Sequence, residues 1–242
     1  MADEARRAEA LVAWLRAQVE SGAGAGLIVG LSGGIDSSVV AMLCARAFPQ
    51  SSLGLIMPCH SLPQDAEHAA LAAKAAGLSA RTVDLGAAYD TLLQAFDPDE
   101  AAGLRALARA NLKPRLRMAT LYFHANLHNY RVAGTGNRSE LEVGYFTKYG
   151  DGGVDLLPLG ALVKTEVRAL AEHLGVPRPI IDKPPSAGLW EGQTDEGELG
   201  LTYADLDGFL TGAKVEPAVA ERVRARQAAS AHKRRLPPIA VV

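Results

Sequence analysis

Cysteine is scarce in this chain. Cys44 and Cys59 are the only two among 242 residues, too few for a disulfide framework and without the paired spacing of a metal site. Cys44 reads as core packing, and Cys59, after a strand, reads as core or as a neighbour of the site. Aromatic residues are also few, at 5%. The core must therefore come from Ala, Leu and Val, which a 48% apolar content can supply. Positive charge is not in excess: the formal net charge is -2, which argues against a dedicated nucleic-acid binder. No apolar run approaches membrane-spanning length. The opening Met1-Ala2-Asp3-Glu4-Ala5-Arg6-Arg7 has no apolar stretch of the kind found in secretion signals. The expectation is a soluble, cytoplasmic protein forming one domain over residues 1–242, without linkers or repeats.

What the sequence does have is alternation. Ala8, Leu11, Val12, Leu15 and Val19 recur at helical spacing. Short β-type runs are predicted at residues 27–31, 52–58, 81–85 and 130–134, with helices at 63–76, 98–127 and 165–174. Gly77 and Gly175 stop two of those helices. Pro114 predicts that the 98–127 helix is broken in two around Leu112-Lys113-Pro114. The order implies an α/β fold, a Rossmann-like doubly wound parallel sheet flanked by helices. Ligands in such sheets gather at the carboxyl ends of the strands. If the first and fourth strands are neighbours, the loops that follow them border one crevice.

The loop after the first strand is the most informative segment: Ser32-Gly33-Gly34-Ile35-Asp36-Ser37-Ser38, with an apolar helix behind it. Strand, tight loop and helix aim backbone N–H groups and the positive end of a helix dipole at one point, which suits a phosphate. Gly33 and Gly34 let the backbone bend and approach an anion. Asp36 beside phosphates makes sense only with a cation between them, so the loop predicts ATP and Mg²⁺. It lacks the lysine of a Walker A loop. It resembles the SGGxDS pyrophosphate loop of the N-type ATP pyrophosphatases, which adenylate a substrate oxygen.

Two polar, glycine-rich stretches remain, at 134–155 and 183–196. Segments of this kind are commonly functional loops. They contain GTGNRSE, GYFTKYGDGG and KPPSAGLWEGQTDE, and LVKTEV and HKR complete the series. In this order the motifs resemble those of the NAD⁺ synthetase family, with its adenine nucleotide alpha hydrolase-like fold, over residues 8–238. The resemblance implies that ATP activates the carboxylate of deamido-NAD⁺ as an acyl-adenylate and that ammonia displaces AMP.

The resemblance also implies roles. Gly30, Leu31, Ser32, Gly33, Gly34, Ile35, Asp36, Ser37 and Ser38 would form the ATP-binding stretch, joined by Thr135, Lys164 and Ser186. Asp36 and Glu140 would hold Mg²⁺, and Asp36, Lys164 and Ser186 would act in the chemistry. Arg115, Lys148, Asp155, His232 and Lys233 fall at substrate-contact positions, and Asp151 would shape the nicotinate end. Ser186 stands where the family often has Thr, and the hydroxyl is retained.

Plainer readings stand beside these. Lys164 could be a surface lysine, although a helix N-terminus disfavours a cation. Glu140 could be a first-turn helix acid, favoured by the same dipole. Arg115 and Arg117 alternate around a helix, and only one need face a ligand. Tyr122, Phe123, Phe146 and Tyr149 could line a dinucleotide pocket or pack in the core. The basic stretch 232–235 could be a solvated tail. Too few residues precede the SGGxDS loop for a glutaminase domain, so free ammonia is the expected nitrogen donor, with a separate glutaminase subunit left open. The family implies a homodimer whose substrate site draws on both chains, and the 98–127 helices could supply its contact. The competing readings are another ATP pyrophosphatase, acting on tRNA or a purine, and a non-catalytic nucleotide-binding module.

Overall fold

Strand β1 (Gly26–Leu31) shows why the sheet is central. Its Leu27, Val29 and Leu31 enter one apolar cluster and Ile28 enters another, because successive side chains of a strand point to opposite faces. Leu27, Ile28 and Val29 are fully buried, each burial contributing about 1.5–3 kcal/mol. The computed structural model describes residues 2–96, 104–186, 192 and 194–240. Among them, β2 (Ser52–Ile56), β3 (Ser79–Thr82) and β4 (Tyr130–Ala133) join β1 in one parallel sheet of order β3-β2-β1-β4. Register pairs Val29 with Gly54 on one side and with Ala133 on the other.

The helices follow in chain order: α1 (Ala2–Ser21), α2 (Ile35–Ala47), α3 (Pro63–Ala76), α4 (Gly86–Phe96), α5 (Leu104–His128) and α6 (Arg138–Val143). Then come α7 (Lys164–Leu174), α8 (Arg178–Ile181), α9 (Asp195–Leu199), α10 (Tyr203–Leu210) and α11 (Pro217–Ala229). Helices α1, α2, α3 and α7 pack together over one face, where Leu15, Val39, Leu43 and Leu170 are buried. Helices α4 and α5 cover the other, with Tyr89 and Ala125 beside Ile28 and Val132. A third cluster, Val143, Leu199, Leu206 and Val223, joins α6 to the carboxyl-terminal helices. The α/β, doubly wound reading is thus realised. The strand order reverses between β1 and β4, so the loops after them border one crevice.

Three local expectations are corrected. Helix α5 runs unbroken through Pro114. Its packing on β1 and β4 outweighs the one hydrogen bond that a proline removes. The third strand is Ser79–Thr82 rather than 81–85. The 81–85 reading caught the continuation of its ladder, where Val83 N–H donates to Ile56 O at 2.9 Å and Leu85 N–H to Pro58 O at 2.8 Å. Helix α4 falls where no helix was expected. Residues 97–103, part of the predicted 98–127 helix, lie outside the described residues, as do 187–191 with Trp190 and residue 193.

Candidate active site

The site begins with the turn between β1 and α2. Gly33 takes φ +76, a left-handed backbone that glycine adopts without penalty. A Cβ there would run into the Asp65 carbonyl oxygen and His68 of α3. The loop's hydroxyls brace it: Ser32 Oγ accepts from Gly34 N–H at 3.2 Å, and Ser37 Oγ accepts from Ser32 N–H at 3.2 Å. Ser38 is fully buried and donates to Gly34 O at 2.8 Å. It supports the loop from behind, outside the cavity lining.

The loop after β4 brings the second half. Asn137 is fully buried and caps α6 in a reciprocal pair. Glu140 N–H donates to Asn137 Oδ1 at 3.0 Å, and Asn137 N–H donates to Glu140 Oε2 at 3.1 Å. Glu140 is therefore a first-turn helix acid, and its other oxygen is turned to the site. Lys164 Nζ donates to that Oε1 at 3.1 Å and to Asp36 Oδ2 at 2.6 Å. Lys164 is 8% exposed although it is charged, and the Tyr203 ring lies 4.9 Å from its ammonium.

A cation at the first residue of α7 opposes that helix's dipole, and two carboxylates offset the conflict. Burial alone would lower the Lys164 pKa, but Asp36 and Glu140 outweigh it and hold the ammonium above its ordinary range. Burial pushes the Glu140 carboxyl up to about 7, against the pull of Lys164. The sequence reading did not single out the clamp behind Lys164. Asp207, 4% exposed, accepts from Ser139 Oγ at 2.5 Å and from Thr165 N–H at 2.8 Å. Ser139 Oγ in turn accepts from Lys164 N–H at 3.0 Å. One α10 carboxylate thus fixes the first turns of both α6 and α7. No short motif advertises it, because its partners are 42 and 68 residues away.

These groups face a cavity of about 870 Å³, large enough for a nucleotide-sized ligand. Gly30, Leu31, Ser32, Gly34, Ile35, Asp36, Ser37, Thr135, Glu140, Lys164 and Ser186 all line it, as do Asp151 and Lys233. Asp151 Oδ1 accepts from Thr147 N–H at 2.9 Å. Lys233 Nζ donates to Gly144 O at 2.8 Å and Phe146 O at 2.7 Å.

Arg115, Lys148, Asp155 and His232 do not line the cavity of one chain. Arg115 and His232 are exposed, and Lys148 Nζ donates to His232 O at 2.9 Å. Asp155 accepts from Tyr122 OH at 3.0 Å and from Val132 N–H at 2.8 Å, tying it to the sheet edge. Of the arginine pair it is Arg117 that reaches the cavity, donating to Met57 O at 3.1 Å and Ser61 Oγ at 3.2 Å. That β2–α3 connection also lines the cavity and was not foreseen. Of the four aromatics weighed, Phe146 lines it, while Phe123 and Tyr149 are exposed. Cys59 is buried near Leu85 O rather than in the cavity.

The donor set suits Mg²⁺. Among the described residues no group of three or more His, Cys, Asp or Glu could hold a metal ion. The converging carboxylates of Asp36 and Glu140 are a hard-oxygen pair of the sparse kind that binds Mg²⁺ with phosphates and waters.

Residues 7–237 match the model of the NAD synthase family. The chain belongs to that family. It is 52% identical over 233 residues to the NH₃-dependent NAD⁺ synthetase of Carboxydothermus hydrogenoformans, covering 96% of each chain. Two solved structures superpose along nearly the whole chain. The NMN synthetase of Francisella tularensis gives a TM-score of 0.93 at 37% identity, covering 98% of both chains. The NH₃-dependent NAD synthetase of Campylobacter jejuni gives 0.79 at 29% identity, covering 98% of this chain and 99% of that one. The fold and the family expected from the motifs are both met.

Proposed function

We propose that this chain amidates deamido-NAD⁺ with ammonia, driven by cleavage of ATP to AMP and pyrophosphate. The observation that carries the reading is Lys164 seated between Asp36 and Glu140 at the carboxyl ends of β1 and β4, beside the glycine loop. A nicotinate carboxylate repels nucleophiles through its own charge, so it needs a better leaving group. Its oxygen attacks the α-phosphorus of ATP, the α–β bridging bond breaks, and pyrophosphate departs. Ammonia then adds to the acyl carbon and loses a proton. AMP leaves with the former carboxylate oxygen on its phosphate.

The residues divide this work. Backbone N–H groups of the loop and the α2 N-terminus hold the departing pyrophosphate. Lys164 balances charge that grows on the phosphates, where preorganised electrostatics count most. Thr135 and Ser186 add hydroxyl donors. Asp36 and Glu140 hold Mg²⁺, which when bound neutralises phosphate charge. Asp151 and Lys233 shape the nicotinate end.

Arg115, Lys148, Asp155 and His232 belong to the same reading through a homodimer. Helix α5 exposes Phe123 and Leu127 at 62% and 63%, one turn apart on an apolar face on which a second chain could bring such groups to the substrate. The reading is of one domain over residues 1–242 that takes free ammonia in the cytoplasm. No helix among the described residues is long and apolar enough to cross a membrane.

The test is incubation with ATP, Mg²⁺, deamido-NAD⁺ and ammonium, with glutamine in a parallel arm. NAD⁺ and AMP are expected, and ADP in place of AMP would overturn the reading. A second substrate is favoured by the superposition on the Francisella NMN synthetase at a TM-score of 0.93. Nicotinate mononucleotide presents the same carboxylate, and a kcat/KM ratio for the two acids decides between them.

A further inference from the structure

Ser186 and Lys164 lie on separate segments, and a buried polar chain joins them. Asp195 opens α9, where the chain returns from the Ser186 segment, and is 4% exposed. Its N–H donates to Pro185 O at 3.1 Å, so the backbone beside Ser186 is fastened to Asp195. Tyr203 OH donates to Asp195 Oδ2 at 2.9 Å. The same hydroxyl lies 3.5 Å from Glu140 Oε1, but its single hydrogen goes to the nearer acceptor. The Tyr203 ring faces the Lys164 ammonium at 4.9 Å. A cation over a ring face is attracted by the ring quadrupole, and more strongly where both are desolvated. Tyr203 is 5% exposed. Tyr145 OH fills the other side, 3.1 Å from Asp195 Oδ1 and 2.5 Å from Glu198 Oε2.

Each link fixes the next. The Pro185 carbonyl sets the position of Asp195, Asp195 sets the tilt of the Tyr203 ring, and the ring sets where the ammonium rests. Lys164 has a flexible stem, and the ring face adds a third contact to the two carboxylates that hold its ammonium. We infer that Asp195 and Tyr203 are a positioning pair that couples the seating of the Ser186 segment to the placement of the Lys164 ammonium. Neither residue needs to touch the reacting atoms. The inference rests on the proposed role of Lys164 at the ATP phosphates.

The experiment uses the full chain as Tyr203→Phe, Asp195→Asn and the double variant. Pyrophosphate release without ammonia and NAD⁺ formation with ammonium are both followed. Tyr203→Phe keeps the ring and removes only the hydroxyl that aims it. It is expected to lower the rate of pyrophosphate release about tenfold, with the KM for deamido-NAD⁺ unchanged within about twofold. Asp195→Asn should lose a similar factor, and the double variant no more than the worse single, since groups acting as one unit are not additive. Thermal unfolding of Tyr203→Phe is followed alongside. A lowered melting temperature with an unchanged rate of pyrophosphate release would overturn the inference, as would multiplicative losses in the double variant. Should Asp195→Asn fail to fold, the Tyr203→Phe result decides alone. Failure of the wild-type enzyme to release pyrophosphate would instead count against the proposed function.

Discussion

Asn137 Nδ2 donates to Asp36 Oδ1 at 2.8 Å, joining the loop after β4 to the loop after β1. The bond crosses 101 residues of sequence and leaves Asp36 Oδ2 for Lys164. An amide is needed here because one side chain does two jobs. Its Oδ1 caps α6 and its Nδ2 feeds a carboxylate.

Two substitutions separate those jobs. Asn137→Ala removes both and should lose about 1 kcal/mol of cap stability. Asn137→Asp can still cap, since Asp and Asn are comparable caps, but it sets a carboxylate against Asp36 and Glu140. Asn137→Asp should therefore lose more kcat than Asn137→Ala, on the order of a hundredfold relative to wild type. Steady-state kinetics and urea titration of both variants check this. Equal kcat values would mean that Asp36 needs no donor at this position.

Glu140 makes stability depend on pH in a direction that can be worked out. Its carboxyl is raised from 4.5 to about 7 by burial, against Lys164. The folded state therefore holds the proton more tightly than the unfolded chain does. That contribution is complete below pH 4.5 and is lost as pH rises through about 7. Gln at this position is permanently neutral and keeps an acceptor for the Asn137 N–H. In chelator, Glu140→Gln should match wild type near pH 4.5 and exceed it above pH 7, by on the order of 1–3 kcal/mol. Denaturant titrations of the two proteins across this range supply the measurement. A constant offset at every pH would contradict the assignment. Mg²⁺ competes for the same oxygen, so Mg²⁺ activation should weaken below pH 7.

Legibility in the sequence followed locality. The β1 loop was readable because Ser32, Gly33, Gly34 and Asp36 declare a turn, a close approach and a helix start within five residues. Gly77 and Gly175 ended their helices as expected, each in the left-handed region. The family was readable because its motifs are long. What was not readable was set by packing at a distance. Pro114 counsels a break, yet α5 packs on β1 and β4 and stays continuous. Arg115 and Arg117 differ by two steps of a helix, and nothing in the segment fixes its phase. Asn137, Asp207 and Tyr203 look like ordinary cap, helix and core residues until their partners are brought beside them. Asp155 matched a substrate motif, and its bonds to Val132 N–H and Tyr122 OH across the fold carry no local signature.

The cysteines give a chemical test of the core. Burial pushes the Cys44 thiol up to about 12 and raises Cys59 as well. A thiolate is the reactive form, and both sulfurs are shielded from solvent. At pH 8 a disulfide reagent should titrate neither thiol in the folded enzyme and both in guanidinium. Activity should survive prolonged exposure to the reagent. One fast-reacting thiol with parallel loss of activity would place Cys59 in the working site rather than beneath it.

Gly33 supplies the last prediction. Its φ of +76 disfavours any side chain, and α3 leaves no room for one. Ala at this position has two ways to relax. It can flip the turn, which removes backbone donors from the pyrophosphate position. It can push α3 outward, which moves Asp65 and strains its 2.5 Å ion pair with Lys183 near Ser186. Positive-φ strain costs about 1–3 kcal/mol, so the variant should still fold, with a lower melting temperature. The first route raises the KM for ATP and lowers kcat together. The second loosens the Lys183 segment, and Lys183→Ala in the Gly33→Ala background would then add little further loss. Gly33→Ala with wild-type ATP kinetics would mean that this turn does not cradle the nucleotide.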